Sequence, residues 1–142
     1  MSDGKLTIAD YPLAENKPGA VIGKRGKPLD VLTLDNVLNG AVTLEDLRIT
    51  GHALRQQAQI ARDAGRPTLA ANFERAAELV EVPQDTIMRI YELLRPGRAR
   101  SKADLIAAAA ELRDVHGARI MADFVEEAAS VYERRGLFNT RF

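Results

Sequence analysis

The segment Gly19-Ala20-Val21-Ile22-Gly23-Lys24 has the residue types of a phosphate-cradling loop. In such a loop the backbone N–H groups between two glycines wrap the anion, the lysine neutralises it, and a Ser or Thr after the lysine holds magnesium. The motif needs four residues between its glycines. Here three intervene and Arg25 follows the lysine. No buried strand leads into the segment and no helix is expected straight after it, so the spacing argues against nucleotide binding.

The other reactive side chains are scattered. His52 and His116 are the only histidines and cysteine is absent, whereas a zinc or iron site needs three or four convergent ligands. Ser2, Ser101 and Ser130 carry hydroxyls, but Ser2 is terminal, Ser101 suits a helix cap, and none lies on a nucleophile elbow. Glu45-Asp46 and Glu126-Glu127 are neighbours on expected helices, where successive side chains point about 100° apart. They read as solvated helix faces rather than as a general acid and base. The basic run Arg95, Arg98, Arg100 and Lys102 could meet phosphate, as could Lys24, Arg25 and Lys27, but the run has no interleaved aromatics. No catalytic, cofactor-binding or metal-binding residue is expected in this chain.

Composition narrows the classes further. At 142 residues a single domain is expected, and 46% apolar with 28% charged residues is ordinary for a globular protein. Twenty basic residues balance twenty acidic ones, so no net field draws the chain to nucleic acid or anionic lipid. Without cysteine there are no disulfides, and no stretch approaches the roughly 20 apolar residues of a membrane span. A cytoplasmic protein is expected, with no nucleic-acid or membrane partner.

The elements that would position any site fall into two parts. Residues 1–32 are punctuated by Pro12, Pro18, Pro28 and four glycines, and their apolar residues lack helical period. This predicts an extended, irregular N-terminal arm that drapes over its own body or over a partner, with a short strand conceivable at Leu6–Ile8. Residues 33–142 read as one helical domain. Thr33, Thr43, Thr50 and Ser101 are expected helix caps, and Gly40, Gly65 and Pro96-Gly97 are stops. Leu54, Ala58 and Ala61 form one apolar stripe, with Ile60 beside it. Leu69, Phe73, Ala76 and Val80 form a second, flanked by Ala70 and Ala77, and Ile87, Ile90, Tyr91 and Leu94 a third. The last apolar line runs through Leu105, Ala109, Leu112 and His116, then Ile120, Phe124, Ala128, Val131 and Arg135. A helix that long is unusual and Gly117 weakens it, so a bend or break is expected there. The fold class is all-α, with five to seven helices and the N-terminal arm.

An ordered series of short segments carries a family likeness. It begins with Asp10-Tyr11-Pro12-Leu13-Ala14, Gly26-Lys27-Pro28-Leu29, Leu32-Thr33-Leu34, Val37-Leu38 and Gly40. It continues through Asp46-Leu47-Arg48-Ile49, Gln57-Ala58-Gln59-Ile60-Ala61, Asn72-Phe73 with Arg75-Ala76-Ala77-Glu78-Leu79, and Ile90-Tyr91 with Leu94-Arg95-Pro96. It ends with Phe124-Val125, Glu127-Ala128 and Val131-Tyr132. From about residue 10 to 137 the chain resembles the small subunits of adenosylcobalamin-dependent diol and glycerol dehydratases.

The resemblance implies a non-catalytic subunit of a hydro-lyase. Its partners would be a large and a medium subunit, assembled as a dimer of heterotrimers. The implied reaction begins with homolysis of the coenzyme's cobalt–carbon bond. An adenosyl radical then takes hydrogen from the diol, a hydroxyl migrates, and loss of water leaves an aldehyde. The resemblance places the substrate in the large subunit and the cobalamin between the large and medium subunits, with no cofactor bound by this chain. Tyr11, Pro12, Leu13, Arg95 and Pro96 are the expected subunit contacts, because tyrosine and arginine join apolar area to a polar handle. Some diol dehydratase small subunits carry a longer N-terminal extension linked to packaging in microcompartments. Here the Asp10-Tyr11-Pro12 motif begins almost at once, which argues against that packaging. The competing readings are a free-standing helical interaction module and a nucleic-acid binder using the two basic segments.

Overall fold

The computed structural model describes residues 4–139; Ser2 lies outside them. The fold is all-α: the described residues contain no strand, only an isolated bridge between Ile22 and Pro28. A single-turn helix α1 (Leu13–Asn16) lies in the N-terminal segment. Seven helices follow: α2 (Leu34–Leu38), α3 (Leu44–Leu47), α4 (Gly51–Asp63), α5 (Pro67–Leu79), α6 (Gln84–Leu94), α7 (Lys102–Asp114) and α8 (Arg119–Arg134). The expected caps are in place. Thr33, Thr50 and Ser101 accept hydrogen bonds from the N–H groups of Asn36, Ala53 and Asp104 at 3.2, 3.0 and 3.3 Å, and Thr43 forms a capping box with Asp46. Each cap satisfies an N–H that the helix leaves without a partner.

The chain gathers into two compact units, Met1–Val80 and Glu81–Phe142. In the first, α4 and α5 pack side by side, joined through Gly65 at φ +74°. The contact is made by small residues: Ala58, Ala61 and Ala70 are buried together, with Leu69 and Phe73 packed beside them. This shifts the buried stripe of α5. Ala70 and Ala77, expected as flanks, are its buried residues, while Leu69, Phe73, Ala76 and Val80 are only partly covered. Alanines let two helix backbones approach, and the larger side chains then splay to the edges of the contact.

The N-terminal segment is neither a strand nor a free tail. It is a series of single turns laid on α4. Leu6 and Leu13 bury their side chains with Ile60, and Val21 packs against them. Polar side chains of α4 hold the backbone: Leu6 N–H donates to Gln59 Oε1 at 3.1 Å, Ile8 N–H to Asp63 Oδ2 at 2.7 Å, and Gln56 Nε2 to the Ala20 carbonyl at 3.1 Å. The backbone groups that a strand would have satisfied in a sheet are satisfied here by helix side chains.

In the second unit α7 and α8 pack together. Leu105, Ala108, Ala109 and Leu112 are buried on α7, and Ala122, Val125 and Ala129 on α8. The Tyr132 hydroxyl donates to the carbonyl of Leu94 near the end of α6. The expected interruption is a full break, with Gly117 at φ +65° between the two helices. That break also resets the helical phase. Ile120 and Phe124, expected to continue the buried line, are exposed, and Ala118, Ala122, Val125 and Ala129 are buried in their place.

Candidate interaction surface

The adjacent carboxylates Glu45 and Asp46 diverge as the helical geometry requires, but Asp46 corrects the expectation of a solvated face. Its residue is 3% exposed. Arg25 clamps it with two bonds, Nε to Oδ1 and Nη2 to Oδ2, both 2.7 Å, and Thr43 N–H donates to Oδ2 at 2.9 Å. Arg25 Nη2 also reaches the Ala41 carbonyl at 3.0 Å; Lys27 donates to the same carbonyl and lies 3.5 Å from Oδ2. The Arg25 bond is the main cause holding the Asp46 carboxyl far below the usual carboxylate range. The Thr43 N–H adds to it, and burial opposes both. The same pairing raises the Arg25 guanidinium.

This network accounts for the glycine-rich segment. A Cβ on Gly23 would sit 2.9 Å from the Asp46 carbonyl oxygen, whereas Gly19 has open space around it. Gly23 thus serves a close backbone approach within the chain, and Lys24 bridges to Glu45 at 3.4 Å. The three cations Lys24, Arg25 and Lys27 of the nucleic-acid reading all face carboxylates of this chain. In the second basic segment Arg95 bridges to Glu92 at 3.2 Å and Lys102 to Glu133 at 3.3 Å.

The other candidates separate as follows. Ser101 is a helix cap and Ser130 is exposed on α8. Glu126 bridges to Arg113 at 2.7 Å, and Glu127 is exposed. His116 is half-buried beside the break; His52 is exposed and lines a cleft of about 180 Å³ with Lys17, Gln56 and Gln59. Of the expected subunit contacts, Leu13 is buried in the chain's own core, while Tyr11, Pro12, Arg95 and Pro96 are exposed. Tyr11 borders an apolar cleft of about 240 Å³ with Ile8, Leu69 and Phe73.

No group of three or more metal-ligating side chains occurs among the described residues. Both clefts are smaller than the roughly 300 Å³ at which pockets for drug-sized ligands begin, so neither encloses a group as large as a corrin. The shifted groups also point to architecture. Asp10 and Asp46 are lowered, Arg25, Arg62 and Arg113 raised. Each shift favours the charged form, whereas a general acid or base is poised near neutrality.

What the surface does offer is apolar area. Leu34, Val37 and Leu38 on α2, Leu44 and Leu47 on α3, and Ile49 just beyond are all exposed. Sequence periodicity passed over them, because these helices are too short to show a repeat.

A family model described as dehydratase small subunit matches residues 6–139. The chain belongs to the dehydratase small-subunit family. It is 52% identical over 128 residues to the propanediol dehydratase small subunit of Citrobacter freundii, an alignment covering 90% of this chain and 74% of the relative. It is likewise 52% identical over 128 residues to the propanediol dehydratase small subunit of Salmonella typhimurium, covering 90% of this chain and 73% of that one. This dehydratase small subunit therefore shares the greater part of its length with diol dehydratase subunits. No helix among its described residues is long and apolar enough to cross a membrane.

Proposed function

We propose that this chain is a non-catalytic, structural subunit of an adenosylcobalamin-dependent diol dehydratase. It covers a surface of the large subunit in a complex that also contains a medium subunit. The assembled complex converts a 1,2-diol to an aldehyde and water by radical chemistry, with substrate and coenzyme held by the other subunits. The 52% identity to propanediol dehydratase small subunits across 90% of the chain carries this reading. The charged side chains support it: Asp10, Arg25, Asp46, Arg62 and Arg113 are tied into ion pairs and caps that stabilise the fold.

The test is reconstitution. Co-expressed with the large and medium subunits encoded beside it, the chain copurifies with them, and the complex forms aldehyde from 1,2-propanediol when adenosylcobalamin is added. Glycerol as a parallel substrate separates diol from glycerol preference. Full activity of the other subunits without this chain, together with its failure to copurify, would overturn the proposal in favour of a free-standing module.

A further inference from the structure

We infer that the cleft between the N-terminal turns and helices α4 and α5 receives an acidic, apolar segment of another dehydratase subunit. An apolar side chain of that segment enters the cleft, and an adjacent Asp or Glu pairs with Arg66. The inference rests on the function proposed above and names the chemistry of one contact.

The cleft is a single concave feature of about 240 Å³ built within the first compact unit. Ile8 and Tyr11 line it from the N-terminal segment, Leu69 and Phe73 from α5, and Ile60, itself buried, from α4. Ile8 and Tyr11 are still 51% and 54% exposed, so the chain leaves large apolar side chains only half covered there. The volume falls below the roughly 300 Å³ at which pockets for whole ligands begin. It suits one anchoring side chain of a larger molecule, the kind of contact that concentrates binding energy in protein interfaces.

Two polar side chains line the same cleft, and the fold uses neither. Gln57 is half-buried on α4, and Arg66 is exposed at the start of α5. Among the described residues neither side chain forms a hydrogen bond or an ion pair. The acids nearest Arg66 in sequence are engaged elsewhere: Asp63 accepts from Ile8 N–H at 2.7 Å, and Glu74 bridges Arg62 at 2.5 Å. Asp10, beside Tyr11, bridges Lys17 at 3.1 Å. Arg66 is therefore a cation without a counter-charge beside apolar surface, unlike Lys24, Arg25 and Lys27, which already face acids.

That combination selects the occupant. A guanidinium holds a carboxylate through two parallel bonds, and the Gln57 amide can both donate to and accept from a peptide backbone. A phosphate backbone is served by several cations along a groove, whereas this cleft has one cation and apolar walls. The walls are also fixed in advance. The bonds from Leu6 N–H to Gln59 and from Ile8 N–H to Asp63 hold the N-terminal turns on α4, which lowers the ordering cost of association.

The experiment uses the full-length chain co-expressed with tagged large and medium subunits. With photoreactive benzoylphenylalanine in place of Tyr11, irradiation of the complex joins the chain to a peptide of another subunit in which an Asp or Glu neighbours the attached residue. In the otherwise unmodified chain, Arg66→Glu lowers recovery in the complex by about tenfold and Arg66→Lys by less. Helical ellipticity and Tm of both isolated variants stay at the wild-type values, because Arg66 bonds nothing within the described fold. Changing the acid of the cross-linked peptide to arginine restores recovery of the Arg66→Glu chain. Undiminished recovery of Arg66→Glu overturns the inference, and it decides the matter even if the photoreactive group itself blocks assembly. A cross-linked peptide without an acid, or a cross-link to a second copy of this chain, overturns it as well. Failure of the wild-type chain to copurify with the other subunits would remove the functional reading itself, and that is seen before any variant is compared.

Discussion

Leucine has two uses in this chain, and truncation separates them. Leu105 on α7 is 0% exposed, whereas Leu38 on α2 is 76% exposed. Leu105→Ala removes three carbons, worth about 2.4 kcal/mol at ~0.8 kcal/mol per buried methylene. A residual cavity of roughly 70 Å³ adds about 1.7 kcal/mol at ~24 cal/mol per Å³. The neighbouring seam is lined by Ala108, Ala109, Ala122 and Ala129, which have no side-chain length with which to fill the space. The expected loss is therefore about 4 kcal/mol, in the upper part of the measured range for leucine truncation. For a unit of this size each kcal/mol lowers Tm by about 4–8 °C, so the shift exceeds about 15 °C. Urea denaturation of the full-length chain, followed by helical ellipticity, reads this as a lower midpoint at unchanged slope in the transition of the second unit. Leu38→Ala changes stability by no more than about 0.5 kcal/mol, because little of its side chain is covered to begin with. A loss below about 1 kcal/mol at Leu105, or one above about 2 kcal/mol at Leu38, would refute the division between core and surface leucines.

Two further predictions concern the Asp46 clamp. Because its carboxyl is lowered by the Arg25 bond first and the Thr43 N–H second, Asp46 contributes stability that is fully present above its ordinary value of 3.8 and is lost as pH falls below it. Asp46→Asn should lower Tm at pH 7 and flatten its fall as the pH drops below 3.8, where the unfolded chain takes up a proton that the clamped carboxylate resists; an unchanged acid profile would show that the clamp carries no linkage. Gly23→Ala forces a Cβ to within 2.9 Å of the Asp46 carbonyl oxygen, while Gly19→Ala meets nothing within 4 Å. The first should lower Tm and the second leave it unchanged, whereas equal effects would mean that the close approach at Gly23 is not required.

Most helix positions were legible in the sequence, because helix boundaries depend on neighbours a few residues away. Thr33, Thr50 and Ser101 had to satisfy N–H groups at helix starts, and Gly65 and Gly117 supplied the left-handed turns at helix ends. The ordered family segments were legible in the same way, and so was the mismatch of the glycine-rich segment with a phosphate loop. The clamp was half legible: Thr43 read as a cap, but nothing nearby in sequence announces that Arg25 arrives from 21 residues away to pair with Asp46.

The sequence by itself determined that the chain is helical, where most of its helices begin and end, and which family it resembles. Tertiary structure alone decided which side of each helix is buried. On α5 the burial passed to Ala70 and Ala77, since α4 approaches closely there. On α8 it passed to Ala122, Val125 and Ala129, since the break at Gly117 reset the phase that a continuous helix would have kept. The same reason separates Leu13, used inside the fold, from Leu38, left outside it. Apolar periodicity states that a side chain has a use for burial, and only the arrangement of the other elements states whether this chain provides the cover.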